Sequence, residues 1–189
     1  MAKSHLNVVM QGASGKIGKT LVFRQMSNGE TVIANRSKPR TAPATPAEEA
    51  TRERFINASY LAKKLQHDPT YGPQYQEKRE PGKSTYMVAM ADCLTSPKIK
   101  GIFLKEYTGA IGGTISVRAI DDFMVTSVKL RIFNAVGTQI EEGMANLDDI
   151  GLEWVYVATV TNHPIAGTRV EVTVGDIPGN ETVGVVTII

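Results

Sequence analysis

Three glycines near the N-terminus, Gly12, Gly15 and Gly18, have the type and spacing that could bind a phosphate. In this interpretation the apolar run before them is a strand, the glycines form a phosphate loop, and a helix begins at Lys19. The P-loop of nucleoside triphosphatases has four residues between its glycines, because consecutive backbone N–H groups must converge on one phosphate. Gly12 and Gly18 enclose five residues, the first of them Ala13, so the spacing argues against ATP or GTP binding.

The stretch from Val8 to Arg36 resembles the opening of atypical NAD(P)-dependent reductases. It has a G-x-x-G-x-x-G loop, and Arg36 lies where a 2′-phosphate would sit. The resemblance implies a reductase that binds a dinucleotide. A dinucleotide fold needs further βα units, however, and residues 40–97 show neither a second parallel strand nor the expected acidic ribose ligand. We keep this enzyme as an alternative and predict no cofactor.

Aspartates at predicted turns are the candidate metal ligands. Asp121, Asp122 and Asp176 lie where two loops of a sandwich could bring carboxylate oxygens together around Ca²⁺. Their spacing lacks the regular alternation of an EF-hand loop, and turn chemistry alone explains aspartate at such positions. We therefore predict no metal and retain these three residues as calcium candidates.

Nucleophilic catalysis has no support in the sequence. Cys93 is the only cysteine, and no histidine lies near it in the sequence to act as a base or a second metal ligand. The three histidines are scattered without zinc-binding spacing, and nothing resembles a nucleophile elbow. We predict no catalytic residue and a small buried apolar role for Cys93.

A β-hairpin is the interpretation that we favour for the glycine-rich region. Strands are predicted over residues 20–26 and 31–36, joined by Asn28 and Gly29, a pair that tolerates the positive φ of a two-residue turn. Apolar side chains are expected on both faces: Leu21, Phe23, Val32 and Ala34 on one, and Val22, Met26 and Ile33 on the other.

Such a hairpin needs a partner, because an isolated two-stranded hairpin is marginally stable in water. We predict that it is an arm that contacts a neighbouring molecule, with folding back onto its own domain as the other outcome. The predicted contact residues are Leu21, Val22, Phe23, Arg24, Met26, Val32, Ile33 and Arg36.

Residues 45–97 carry the pattern of two short helices. Thr45 as N-cap and Glu48 as the third helical residue form a capping box, which begins a helix predicted over residues 46–66. Ser84 caps a second helix, which ends before the next proline. The segment between the two helices is rich in proline and glycine and is predicted to be mostly loop, with a helical turn around residues 74–78.

From residue 98 to the end, the hydrophobic pattern alternates with a period of two. Val128, Leu130 and Ile132 alternate with Lys129 and Arg131, as in a sheet with one buried and one solvated face. The turn signals recur at the spacing of an antiparallel sandwich. Strands are predicted over residues 114–119, 126–134, 138–145, 153–160, 169–174 and 182–188, with Trp154 as the main core anchor.

Several short sequence segments in this region resemble bacterial immunoglobulin-like domains. They are residues 119–123, 137–143, 154–159 and 176–180. The resemblance covers residues 98–189 and implies an immunoglobulin-like sandwich. Separately, Gly15-Lys16-Ile17-Gly18 with the hairpin and the extended Lys38-Pro39 segment is similar to uncharacterised bacterial and prophage proteins that begin with a Gly-Lys-Ile-Gly hairpin. That similarity implies a fold and carries no activity with it.

The predicted fold class is mainly β, and α+β overall. It comprises an N-terminal β-hairpin arm and extended connector (residues 1–44), a two-helix segment (45–97) and an immunoglobulin-like β-sandwich (98–189).

The charge is distributed unevenly along the chain. Residues 1–100 hold 16 Lys and Arg against 8 Asp and Glu, a net charge of +8, whereas residues 101–189 hold 5 against 11, a net charge of −6. No dense basic run occurs, so we predict no nucleic-acid partner. No signal sequence or membrane-spanning run is found, so we expect cytoplasmic synthesis without membrane insertion, followed by assembly in a virion or outside the cell.

These observations together predict a non-enzymatic structural protein. It would self-assemble head to tail through its arm, or bind another structural protein, in a virion, a tail component or a filament. Two alternatives remain: the reductase described above, and a glycan-binding or adhesive module that rests only on analogy between sandwich folds. The residues that could stack on a sugar in such a module are Tyr107, Phe123, Trp154 and Tyr156.

Overall fold

The computed structural model describes residues 2–4, 10, 12–26, 29–39 and 41–189. Within them, strands form three antiparallel four-stranded sheets and are accompanied by three helices. The mainly-β α+β class predicted from the sequence is confirmed. The predicted boundaries at residues 44/45 and 97/98 both fall between elements of secondary structure.

The N-terminal sheet contains the strands β1 (Ala2–Ser4), β2 (Gly15–Ile17), β3 (Leu21–Gln25) and β4 (Thr31–Asn35), in the order β1-β4-β3-β2. The predicted hairpin corresponds to β3 and β4 and is confirmed. The turn between them is closed by the amide of Met26, which donates to the carbonyl of Glu30 at 2.8 Å. Gly29 has the positive φ that the turn requires, whereas Asn28 lies outside the described residues.

Two predictions about this element were wrong. It is a four-stranded sheet and not an isolated hairpin, because β1 and β2 pair with the outer edges of β4 and β3. The grouping of side chains also differs, since Phe23 pairs with Ile33 and Arg24 pairs with Val32. Directly paired residues share a face, so Phe23 and Val32 lie on opposite faces, and both are buried.

The helices are α1 (Pro46–Leu65), α2 (Gly72–Glu77) and α3 (Thr85–Leu94). The capping box of α1 is confirmed: the amide of Thr45 donates to Glu48 at 2.8 Å, and the amide of Glu48 donates to the Thr45 hydroxyl at 3.4 Å. The hydroxyl of Ser84 caps α3, as predicted. The helical turn predicted around residues 74–78 is confirmed as α2, which begins two residues earlier because Pro73 falls in its first turn, where a missing N–H costs no hydrogen bond.

The helices share a small apolar core. Its buried members are Ala58, Ala62 and Leu65 of α1, Tyr75 of α2, and Ala89, Met90 and Cys93 of α3. The buried state predicted for Cys93 is confirmed. Residues 46–57, the first three turns of α1, are exposed around the whole helix.

The C-terminal region is a sandwich of two four-stranded sheets. Its strands are β5 (Lys98–Phe103), β6 (Thr114–Ile120), β7 (Val125–Phe133), β8 (Gln139–Met144), β9 (Asn146–Leu147), β10 (Trp154–Val157), β11 (Arg169–Asp176) and β12 (Glu181–Thr187). The sheet orders are β5-β6-β10-β9 and β12-β11-β7-β8. In immunoglobulin nomenclature these are A-B-E-D and G-F-C-C′, the strand arrangement of that fold. The strand predicted over residues 138–145 ends at Met144, and the chain then crosses to the other sheet as β9.

The sandwich core is aliphatic. Ile115, Val117, Val128, Leu130, Ile132, Val170, Val172 and Val174 are completely buried between the sheets. Trp154, predicted as the core anchor, is only partly buried and packs against the margin of this cluster. The centre of the sandwich is instead filled by branched side chains that alternate along three central strands.

The helical segment packs against one end of the sandwich. The rings of Tyr75 and Phe123 lie 4.1 Å apart between centroids, and Lys78 Nζ donates to the carbonyl of Phe123 at 2.6 Å. The side-chain amide of Asn180 donates to the carbonyls of Asp92 and Thr95 at the end of α3. The β6–β7 and β11–β12 turns therefore form the platform on which α2 and α3 rest.

Candidate functional site

Three carboxyl groups that are far apart in the sequence meet where α3 rests on the sandwich. Asp121 accepts hydrogen bonds from the amides of Phe123 and Met124 in the β6–β7 turn, at 2.9 and 3.0 Å. Asp176 accepts from the amide of Asn180 at 2.7 Å in the β11–β12 turn. Asp92 comes from α3. The turn aspartates thus form local hydrogen bonds, and the helix brings the third acid to them.

Asp92 is the most deeply buried member of this carboxyl cluster (Asp92, Asp121 and Asp176). One of its oxygens accepts a hydrogen bond from the Tyr75 hydroxyl at 2.5 Å, and the other is buried without a partner among the described residues. One oxygen of Asp121 is in the same situation. A proton on Asp92 would allow it to donate to Asp121, and the cluster therefore has a place for one proton.

The electrostatics of the cluster favour that proton. Burial, with a smaller contribution from the neighbouring charges of Asp121 and Asp176, outweighs the opposing Tyr75 hydrogen bond and raises the pKa of Asp92 to about 7. Burial likewise raises the pKa of Asp176. Burial also raises the pKa of Cys93 to about 11 and raises the pKa of Tyr75, so both stay neutral.

The structure brings two of the three calcium candidates together. Asp121 and Asp176 both belong to the carboxyl cluster, whereas Asp122 is exposed and faces the surface groove that also contains Lys78 and Lys83. Within the described ranges, no group of three or more His, Cys, Asp or Glu residues is arranged to hold a metal ion. The chemistry that the carboxyl cluster can support is proton binding.

Sequence reasoning did not identify Asp92. A signal was present, because Asp92 is the only charged residue in the ten-residue, otherwise mainly apolar α3. A charge on a short apolar helix is desolvated on packing unless it finds a partner, so it indicates a polar contact. The hydrogen-bond partner of its carboxyl group, Tyr75, could not be named from the sequence.

A second buried acid lies inside the sandwich. Glu141 of β8 accepts hydrogen bonds through one oxygen from the Tyr156 hydroxyl at 3.0 Å and from the amide and hydroxyl of Thr159 at 2.9 Å each. Its other oxygen is buried without a partner among the described residues. Burial, followed by the hydrogen bond to Glu141, raises the pKa of Tyr156 to about 12.

The aromatic residues of the glycan-binding alternative are not gathered on a surface. Tyr107 and Tyr156 are buried in the sandwich core, and Trp154 is partly buried beside them. Phe123 stacks on Tyr75 where the helices meet the sandwich. These four side chains do not form an exposed stacking platform.

The nucleotide-binding alternative requires a helix after Gly18, and the structure has a strand there. Gly12, Gly15 and Gly18 do adopt positive φ, as glycine-rich loops often do. The chain then turns at residues 18–20 and continues as β3, which pairs with β2. The helix N-terminus that would face a phosphate is therefore replaced by a β-hairpin. The apolar residues Val8 and Val9 lie outside the described residues.

The predicted arm residues fall into three groups. Phe23 and Val32 are buried; Leu21, Val22 and Ile33 are partly exposed; Arg24, Met26 and Arg36 are exposed. Ile17 of β2 is a further exposed apolar residue of the sheet, which the prediction did not include.

Among the described residues, the strands of the N-terminal sheet pack extensively only with one another. Residues 36–39 and 41–45, which follow it, form neither helix nor strand. Its exposed basic residues are Lys16, Lys19, Arg24, Arg36 and Lys38.

Comparison of the sequence with models of known protein families and with curated proteins finds no match.

Within the described part of the chain, no helix is both long and apolar enough to cross a bilayer.

Proposed function

We propose that this chain is a non-enzymatic structural protein that assembles with copies of itself through its N-terminal sheet. The observation that carries the proposal is the separation of that sheet from the helices and the sandwich among the described residues. An element that packs little against the helices and the sandwich of its own chain is suited to bind a neighbouring molecule.

The exposed surface of the sheet is basic and partly apolar. Ile17 and Met26 expose apolar side chains near opposite ends of the sheet, Ile17 on the face of its paired residue Leu21 and Met26 on the face of Arg24. The exposed lysines and arginines named above belong to the same sheet and the segment that follows it. Apolar side chains accompanied by charges are typical of interaction surfaces, because burial supplies affinity and charge supplies orientation. A complementary partner surface would be acidic and would also expose apolar side chains.

The β9–β10 turn of the sandwich has these properties. Leu147, Ile150 and Leu152 expose large apolar side chains there, with Ile150 79% exposed. Asp149 is exposed beside them, and Asp148 closes the turn by accepting hydrogen bonds from two backbone amides. We infer that the N-terminal sheet of one copy binds the β9–β10 turn of the next.

This contact joins two different surfaces, so it is heterologous. A heterologous contact produces a closed ring when the rotation between copies closes and a filament when it does not. A virion component, a tail component and a filament are all compatible with such a contact. The carboxyl cluster and Glu141 have no role in it.

A pair of substitutions tests the contact from both sides. Met26→Asp on the sheet and Ile150→Asp on the turn each place a charge in the proposed interface, and each is expected to lower the mass of the assembly. The measurement is light scattering of the full chain with negative-stain electron microscopy. Val136→Asp is the matched control, because Val136 is 86% exposed in the β7–β8 turn and belongs to neither surface.

Two outcomes would contradict the proposal. One is that the unmodified chain stays monomeric at every concentration and salt condition. The other is an assembly that neither Met26→Asp nor Ile150→Asp weakens relative to Val136→Asp. If only one of the two variants weakened the assembly, the surface that carries that substitution would still belong to the interface. The assignment of the other surface would be wrong.

A further inference from the structure

The last strand, β12, is an open sheet edge. Within the described residues it forms its hydrogen-bond ladder with β11 and with no other strand. It is seven residues long, contains no lysine, arginine or proline, and keeps an unbroken register with β11. Val183 and Val185 are 56% and 54% exposed on its outer face. A long, regular, apolar edge of this kind is a template for pairing with another strand.

The other three edges of the sandwich each carry a feature that opposes such pairing. The edge of β5 has Lys98 and Lys100 and a register shift between Ile99 and Gly101. The edge of β8 carries two neighbouring acids, one of which, Glu141, points inward. The strand β9 is two residues long. Lysines, bulges, inward charges and short length are the protections found on natural edges. The strand β12 has none of these, and its one charged residue, Glu181, lies at its first position.

The hydrogen-bond pattern shows which groups of β12 face the open side. The amide of Ile188 donates to the carbonyl of Thr168 at 2.9 Å, and antiparallel strands alternate between residues that bond to a given neighbour and residues that do not. Thr182, Gly184 and Val186 therefore bond to β11. The backbone groups of the alternate residues point away from β11: Glu181, Val183, Val185 and Thr187.

The space beside this edge is not filled by the described chain. A groove of about 750 Å³ lies between β5 and β12, lined on one side by Lys98, Ile99 and Ile102 and on the other by residues 182–186. At Gly184 the Ile99 side chain of β5 packs closely against β12, because a Cβ there would lie 2.8 Å from it. The groove nevertheless leaves room for another strand to approach the outer edge of β12.

We propose that β12 pairs antiparallel with β12 of a second copy, in the register that places Gly184 opposite Gly184. In that register Val183 lies opposite Val185 and Glu181 lies opposite Thr187, so all four outward residues are paired and no like charges face each other. Opposed β-branched side chains stabilise a strand pair, whereas like charges destabilise it. The two outer four-stranded sheets then form one continuous eight-stranded sheet across a two-fold axis.

The self-complementarity of the strand favours a second copy as the occupant over a different protein. A two-fold axis through Gly184 places each residue on one side of it opposite a residue from the other side. Val183 and Val185 face each other in this arrangement, and two valines are compatible. This contact is isologous and uses a surface distinct from the N-terminal sheet and the β9–β10 turn. It stands whether or not the proposed function is correct.

Disulfide trapping tests the proposed register directly. Residues of a hydrogen-bonded antiparallel pair have Cα atoms about 5.5 Å apart, within the range that a disulfide spans. A mixture of full-length Val183→Cys and full-length Val185→Cys is therefore expected to form more cross-linked dimer than either variant alone. A mixture of Val157→Cys with Val183→Cys is the control, because Val157 is a strand valine on the other sheet with a similar exposure of 50%.

A second measurement does not depend on cysteine chemistry. Val185→Lys introduces a charge at the centre of the paired edge without touching the β11 ladder and is expected to abolish the dimer in sedimentation, whereas Val157→Lys is expected to retain it. Equal cross-linking in all mixtures, or an unchanged dimer in Val185→Lys, would overturn the pairing. Preferential trapping within Val183→Cys alone would overturn the register.

The proposal can also fail separately from the proposed function. Met26→Asp should leave the Val183 to Val185 cross-link intact, because it acts on the N-terminal sheet. Loss of that cross-link in Met26→Asp would mean that the strands are brought together by the N-terminal contact and do not pair independently.

Discussion

Asp92 is the residue whose environment has the clearest physical consequence, because it favours the protonated carboxyl group. It is buried between α2, α3 and the sandwich turns, with one oxygen bonded to Tyr75 and the other without a partner among the described residues. Burial and the neighbouring charges of Asp121 and Asp176 raise its pKa and favour its protonated form. Helix docking and protonation are therefore linked through this side chain.

The first prediction is that stability falls as pH rises through the range from about 4 to about 7. The folded pKa of Asp92, about 7, lies above its ordinary value of 3.8, so the folded state holds a proton that the unfolded chain has released in this range. Asp92→Asn cannot ionise and should lack this loss. The free energy of unfolding of Asp92→Asn should therefore rise relative to that of the unmodified chain as the pH increases. We expect this difference to grow by about 1–3 kcal/mol from the acidic to the neutral end of the range.

Urea unfolding of both proteins across that pH range measures the effect. Asp122→Asn is the matched control, because Asp122 is an exposed aspartate in the same turn as Asp121. It should reproduce the pH dependence of the unmodified protein. Parallel stability curves for Asp92→Asn and the unmodified protein would show that Asp92 does not hold the proton.

At the scale of elements, α1 and α3 differ in what their N-termini support. The cap of α1, Thr45, precedes three turns that are exposed on all sides. The cap of α3, Ser84, begins a ten-residue helix that buries Ala89, Met90 and Cys93. The two cap hydrogen bonds are similar, but they stabilise different things. The cap of α1 stabilises only its own exposed turns, whereas the cap of α3 stabilises a helix that forms part of the shared core.

The second prediction compares the two caps. Ser84→Ala should lower the free energy of unfolding by about 1 kcal/mol, because the cap of a packed helix contributes to global stability. Thr45→Ala should leave that free energy nearly unchanged and increase amide exchange over residues 46–57, since those turns can fray without exposing the core. Hydrogen exchange and urea unfolding measure the two effects. Similar global losses in both variants would indicate that the start of α1 is packed in solution.

For the whole molecule, the two proposed contacts have different symmetries. The N-terminal sheet and the β9–β10 turn form a heterologous contact, whereas the two β12 edges form an isologous one. A molecule with one contact of each kind can make an extended array in which dimers are linked in series. Either contact alone limits the assembly to a dimer, a ring or a simple filament.

The third prediction separates the contacts by salt. The contact of the N-terminal sheet combines basic and acidic surfaces, and raising ionic strength from about 0.1 to 1 M shortens the screening length from about 10 to about 3 Å. The β12 contact is made of backbone hydrogen bonds and valines. High salt should therefore reduce large assemblies to dimers and leave the Val183 to Val185 cross-link in place. Loss of the cross-link together with the large assemblies would contradict this separation.

Local signals in the sequence were sufficient for most of the secondary structure. The capping residues Thr45 and Ser84 placed the starts of α1 and α3, and the alternation around Leu130 placed β7, because these signals depend on residues within one or two turns of helix or along one strand. The hairpin of β3 and β4 followed from its turn. The mainly-β class and the sandwich could therefore be predicted.

Tertiary structure decided the features that depend on which distant residues meet. The strand register decides which side chains share a face of the N-terminal sheet, because a shift of one residue exchanges the two faces. Asp92, Asp121 and Asp176 became one cluster only when α3 rested on two turns of the sandwich. Trp154 lay at the margin of the core, because the sheets enclose the centres of their middle strands. The exposed edge of β12 likewise depends on the strand order, which the alternation within each strand does not encode.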